Sequence, residues 1–84
     1  MVTPYEDIDN IRVFSKDVLK EHLVWHRDRN DRTVTVLEGE GWKFQYDNEL
    51  PVTLSKGDTL EIEAYSYHRI IKGNTDLKLK IEEH

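Results

Sequence analysis

An all-β, antiparallel fold is what this sequence predicts, in the form of a sandwich, barrel or jelly roll with one short N-terminal helix. Three observations carry the expectation. Apolar residues alternate with period two in several short runs, turn signals separate those runs at intervals of about a dozen residues, and no long helical pattern interrupts them. A dozen residues is strand plus turn, the spacing of antiparallel architectures.

Taken in order, the chain opens on the acidic segment MVTPYEDIDN, which lacks the apolar run of a secretion signal. Residues 11–14, IRVF, form a candidate edge strand. SKDVLKEHL is the one helical candidate, with Ser15 as N-cap and Val18, Leu19 and Leu23 on its apolar side. RDRNDR then reads as a charged loop. RTVTVL places Val34 and Val36 on one strand face, WKFQYD places Trp42, Phe44 and Tyr46 there, TLEIEA does so with Leu60 and Ile62, and LKLKIEE with Leu77, Leu79 and Ile81. The connecting signals are Gly39 and Gly41, Asp47-Asn48 before Pro51, Lys56-Gly57-Asp58, and Gly73-Asn74 before Asp76. His84, the last residue, is given no role.

Bulk properties set limits on function. With 84 residues the chain has room for one core, burying roughly 60% of its unfolded surface. Seventeen acidic residues against twelve Lys and Arg give a formal charge of -5, which argues against a nucleic-acid partner. No cysteine is present, so disulfides, thiolate zinc sites and thiol nucleophiles are excluded, and any metal must use histidine and carboxylate. No apolar run approaches the 18 or so residues of a membrane span, so no membrane association and a cytoplasmic location are expected.

The chemistry concentrates in Trp25-His26-Arg27-Asp28. Were the helix to run through Asp28, His22 and His26 would stand one helical turn apart, a spacing that can hold a metal. With an extended chain, His26 and Asp28 share a strand face and Trp25 and Arg27 point the other way. His22 would then lie about 13 Å along the strand from His26, too far to share an ion, and becomes a surface or rim residue. Trp42, Phe44 and Tyr46 are read either as core or as the lining of a pocket for an organic ligand. Tyr65 and Tyr67 either pack or present phenols to a ligand.

From Trp25 to Ile71 the sequence resembles the cupin superfamily, whose first motif is G-x5-H-x-H-x3,4-E-x6-G and whose second is G-x5-P-x-G-x2-H-x3-N. His26 takes the first histidine position, Asp28 the second, Arg32 that of the glutamate and Gly39 that of the closing glycine. In the second motif Gly57 opens and His68 falls on the histidine, while Glu63, Tyr65 and Lys72 replace the proline, glycine and asparagine. The resemblance implies one cupin-like domain over residues 1–84, a double-stranded β-helix barrel with its site between the sheets. It implies His26, Asp28 and His68 as ligands of a divalent transition metal, Fe(II) favoured over Ni(II), Mn(II) or Zn(II), because two imidazoles and a carboxylate make the set typical of non-haem Fe(II). The order H-x-D…H is similar to that of the 2-oxoglutarate oxygenases.

Two functions are weighed on that basis. One is an oxygenase acting on a small carboxylate-bearing molecule, with Arg32 holding the carboxylate and Tyr67 or Trp42 closing the pocket. The other is a non-catalytic binding or sensing module, or a cupin that has lost its metal. Arg32 cannot itself ligate a metal. It binds a substrate carboxylate, pairs with Asp28 in a metal-free network, or points into water. A homodimer is expected, since so short a chain has exposed sheet edges and small cupins associate through strands or sheet faces.

Overall fold

The computed structural model describes residues 4–84. Eight strands run through them: β1 (Tyr5–Ile8), β2 (Ile11–Phe14), β3 (Arg32–Glu38), β4 (Lys43–Tyr46), β5 (Val52–Thr53), β6 (Thr59–Ile62), β7 (His68–Ile71) and β8 (Leu77–Glu83). A five-stranded sheet has the order β1-β2-β8-β3-β6, and a three-stranded sheet the order β5-β4-β7, with every pairing antiparallel. Among the described residues no helix is long and apolar enough to cross a membrane.

β-Branched residues at Thr33 to Val36 suit the pleat, and the two seven-residue strands β3 and β8 pair along their length to form the centre of the larger sheet. Their alternation sends Val34, Val36, Leu77 and Leu79 inward, where they meet Phe14, Trp42, Phe44, Leu54 and Ile62 in one core between the sheets. Lys78 and Lys80 face out. The two motif glycines sit in turns at positive φ, 150° at Gly39 and 93° at Gly57. A Cβ on Gly39 would also run into Leu77, so the turn after β3 has room for nothing larger than hydrogen.

The expected N-terminal helix over SKDVLKEHL does not form. A turn closes from Val18 N–H to Ser15 O, a single 3-10 turn follows over Lys20–His22, and the Asp76 carboxylate accepts from Lys16 N–H at 2.7 Å. A nine-residue helix is marginal alone. Here, burying Val18 in the core and tying Lys16 to Asp76 sixty residues away outweigh it.

IRVF is a strand but not an edge. β1 pairs with it along Tyr5 to Ile8, joined by a two-residue turn with Asp9 at φ 55°, and covers the side away from β8. The signal was Asp9-Asn10, a turn pair between YEDI and IRVF.

Candidate metal centre

Backbone pairing brings the two histidines together. His26 N–H donates to His68 O and His68 N–H to His26 O, both at 3.0 Å, so the segment before β3 attaches to the outer side of β7 at this one point. Residues paired this way lie directly opposite each other on one face. The imidazole rings accordingly meet edge to face at 4.4 Å. Two residues on, Asp28 O accepts from Tyr65 N–H at 2.7 Å, where Tyr65 turns at φ 64°, and the period of two brings Asp28 to the same face as His26.

Each ring is anchored by the carbonyl two residues before it. His26 Nδ1 lies 3.0 Å from Val24 O and His68 Nδ1 2.9 Å from Ser66 O. A carbonyl only accepts, so both Nδ1 atoms carry the proton, and each neutral ring keeps its lone pair on Nε2. Burial holds His68 below the ordinary imidazole value, the neighbouring His26 and Arg32 working in the same direction and the Ser66 carbonyl and Asp28 opposing. His68 is therefore neutral at neutral pH.

The Nε2 atoms converge on one carboxylate. His68 Nε2 stands 3.1 Å from Asp28 Oδ2, and His26 Nε2 3.9 Å from Asp28 Oδ1. With the imidazole proton committed to Ser66 O, the 3.1 Å contact sets two acceptors against each other. Among the described residues Asp28 Oδ2 is buried without a hydrogen-bond partner. Such a group costs about 1–3 kcal/mol, more when charged, unless a cation meets it. The donor set fits a metal: the three ligand atoms lie within 4.8 Å of one another, and neighbouring ligands about 2.1 Å from one ion stand about 3 Å apart, the His68–Asp28 separation. His26, 47% accessible, has room to close the longer gap.

Arg32 adjoins this triad. Its Nη2 donates to Glu83 Oε1 at 2.7 Å, its Nη1 approaches Asp28 Oδ2 only to 3.5 Å, and its Nε is buried without a partner among the described residues. The side chain does not point into water. The Asn30 amide and Arg32 together hold the Glu83 carboxyl below the ordinary value, which marks Glu83 as the firmer partner.

A cavity of about 370 Å³ opens between the sheets, with His26, Asp28, Arg32 and His68 on its wall and an apolar lining that includes Phe44, Leu60 and Ile62. This is the size and character of a small-molecule site. Of the three aromatics read as pocket lining, Phe44 lines the cavity, its ring 5.6 Å from that of His68. Trp42 does not. It is 0% exposed in the core and its Nε1–H donates to Thr75 O at 2.7 Å, so the ring packs under the turns rather than against a ligand. Tyr46 pairs with His68 across β4 and β7, its hydroxyl donates to Glu61 O at 2.8 Å, and its ring rests against Phe44, outside the lining. Tyr67, expected near the ligand, is turned outward at 41% exposure with Arg27 4.7 Å over its ring; adjacent strand residues face opposite ways, and His68 takes the inner face. Tyr65 is exposed as well. Trp25 shares the outer side, under Arg69. His22 lines the cavity without joining the metal ligands.

Sequence reasoning passed over Arg12. In IRVF, Ile11 and Val13 look like the inward pair, yet register with β8 sets Arg12 opposite Leu79 and turns it inward beside Phe14. Its Nε and Nη2 both donate to the Asp7 carboxylate, at 2.8 and 3.0 Å, and its guanidinium lies 3.8 Å over the Tyr5 ring. Those hydrogen bonds hold the Asp7 carboxyl below its ordinary value. An Arg two residues before a buried Phe on one strand was the available signal.

No family model matches the chain, and no curated protein matches its sequence with significance. Solved structures do match. One chain from crystal structures of DMSP lyases superposes with a TM-score of 0.71 at 15% identity; the match covers 84% of this chain and 34% of that one, so this protein spans about a third of its length. A protein from Neisseria meningitidis matches at TM-score 0.61 and 15% identity, over 95% of this chain and 80% of that one. A domain from Bordetella pertussis Tohama I, described as a cupin domain, matches at TM-score 0.55 and 17% identity, over 94% and 86% of the two chains.

Proposed function

We propose that this chain, whose fold is that of the cupin superfamily, binds a divalent transition metal through His26, Asp28 and His68 and takes a small organic anion in the adjoining cavity. One observation carries the reading: a buried carboxylate oxygen without a partner faces an imidazole whose only proton is already spent. When bound, the metal supplies Lewis acidity and open coordination positions to a small molecule. The set of two histidines and one aspartate favours Fe(II), and an oxygenase acting on a small carboxylate-bearing molecule is the most concrete activity it supports.

The chain's own residues have separate tasks. Val24 O and Ser66 O orient the rings and fix the ligating nitrogens, as outer partners of metal-bound histidine do. Phe44, Leu60 and Ile62 keep water from the cavity and favour an aliphatic or aromatic body on the ligand. Arg32 offsets the charge of Asp28 from its far side and adds a positive field that suits an anion.

The test is anaerobic titration calorimetry with Fe(II), Ni(II) and Mn(II). His26→Ala, Asp28→Ala and His68→Ala should each lose most of the affinity, since two protein ligands hold a labile ion weakly, whereas His22→Ala should keep it. The 3.5 Å approach of Arg32 to Asp28 favours a second reading, a metal-free network without catalysis that leaves a binding or sensing module. Equal, weak binding by wild type and His68→Ala selects the network.

A further inference from the structure

Two guanidiniums reach the cavity from the five-stranded sheet, and they differ in which edge is engaged. Arg32 divides its ends between Glu83 and Asp28. Arg12 engages Asp7 along one edge, through Nε and Nη2, and lines the same cavity. A guanidinium has five N–H donors, of which this edge uses two. The three that remain, two on Nη1 and one on Nη2, have no acceptor among the described residues. Two of those three point in parallel from the Nη1/Nη2 end, the fork that takes a carboxylate with two hydrogen bonds. Asp7 on one edge and Tyr5 under the plane fix the group in place, so little side-chain entropy remains to be lost on binding.

Charge points the same way. Arg12 and Arg32 on the cavity wall, set against Asp28 within it and the Asp7 and Glu83 carboxylates with which the two guanidiniums pair, leave one negative charge, and a divalent cation at the triad changes that to one positive. A monoanion restores neutrality. The histidines bind the metal as neutral rings and do not alter the count.

We propose that Arg12 is the anion anchor of this cavity, and that the ligand is a small aliphatic monocarboxylate whose carboxylate sits on the open fork of Arg12 while its body lies along the apolar wall toward the metal. The proposal rests on the cavity reading above and extends it by assigning the substrate class and the residue that selects it. Arg12 is a specificity residue on the sheet opposite the histidines.

The experiment uses butyrate and its uncharged isostere butyramide as probes, in NMR titrations of the full chain with and without Zn(II), followed in the amide and arginine Nε–Hε regions. Butyrate should shift the Arg12 Nε–Hε signal and bind Zn(II)-loaded wild type about tenfold or more tightly than butyramide, the preference expected of hydrogen bonds to a charged group. Arg12→Gln should abolish that preference while leaving butyramide and Zn(II) affinities within about twofold. Arg12→Lys, which keeps the charge without the fork, should retain only part of it, and Arg32→Gln, which weakens the positive field but removes no hydrogen bond to the carboxylate, should lose less of it than Arg12→Gln does.

A wild type that does not prefer butyrate, or an Arg12→Gln variant that still does, overturns the anchor. Should Arg12→Gln lose its dispersed spectrum, Arg12→Lys decides, and an undiminished preference overturns the proposal. The metal reading fails separately: if wild type binds no Zn(II) but its metal-free form prefers butyrate through Arg12, the triad reading falls and the anchor stands. If Zn(II) binds and Arg12→Gln keeps the preference, the anchor falls and the triad reading stands.

Discussion

Asp28 shows how one side chain separates two accounts of the site. In a metal-free network its charge balances Arg32 and stabilises the fold; in a metal site that charge is a strain relieved by the ion. Asp28→Asn therefore has opposite expected outcomes. The carboxamide can donate to His68 Nε2 where the carboxylate cannot, so in the metal reading the metal-free variant is more stable than wild type by about 1–2 kcal/mol and binds metal at least about a hundredfold more weakly. Urea unfolding and calorimetry check the two halves, and a destabilised variant supports the network. A pH prediction belongs to His68. Its folded value lies below the ordinary 6.5, so on acidification the unfolded chain takes up the proton first and binds more protons than the folded one. Stability of the metal-free protein should be level well above pH 6.5 and fall as pH drops below it. His68→Gln should flatten that slope in denaturant unfolding measured between pH 7.5 and 5.

At the scale of elements, alternation settles which residues matter. Leu77 is fully buried and its neighbour Lys78 is exposed, one residue along the same strand. Leu77→Ala should cost about 2–5 kcal/mol and Lys78→Ala less than about 0.5, measured by chemical denaturation. Equal costs would contradict the register of β8. Strands β3, β4, β6 and β8 were legible because period two survives any tertiary environment that leaves one face dry. The helix over SKDVLKEHL was not, because its outcome turned on Asp76 and on a core site for Val18, both supplied by distant chain. β2 lost its edge for a similar reason: the pairing of YEDI with IRVF is a cross-strand fact, and only the Asp9-Asn10 turn hinted at it.

For the molecule as a whole, a cavity of about 370 Å³ opens between the two sheets of a chain of 84 residues. Filling it should stabilise the fold, and saturating metal should raise the unfolding midpoint with concentration by mass action. Scanning calorimetry at increasing Ni(II) measures this; a midpoint that does not move contradicts the metal site. The outer strands β1 and β6 of the larger sheet end its hydrogen-bonding ladder, and Ile8 on β1 is exposed. A homodimer at micromolar concentration is the expected outcome of open edges on a small core. Light scattering decides it, a monomeric mass being the contrary result.

Local pattern alone carries β3, β4, β6 and β8 with their inward faces, and the motif spacing that singles out His26, Asp28 and His68, because period two and glycine turns are properties each stretch carries alone; β1, β5 and β7 and the inward face of β2 emerge only from pairing with other strands. What the surrounding side chains do depends on contacts between distant strands. Trp42 and Phe44 obey the same alternation, yet one is sealed beneath a turn and the other faces a cavity. Arg12 read as an ordinary strand charge, and Arg32 as a group that holds a substrate carboxylate, pairs with Asp28 or points into water, until the pairing of β2 and β3 with β8 turned both inward. Inward is a relation between sheets, fixed by long-range register and by which partner neutralises a buried charge, and no short stretch of chain contains it.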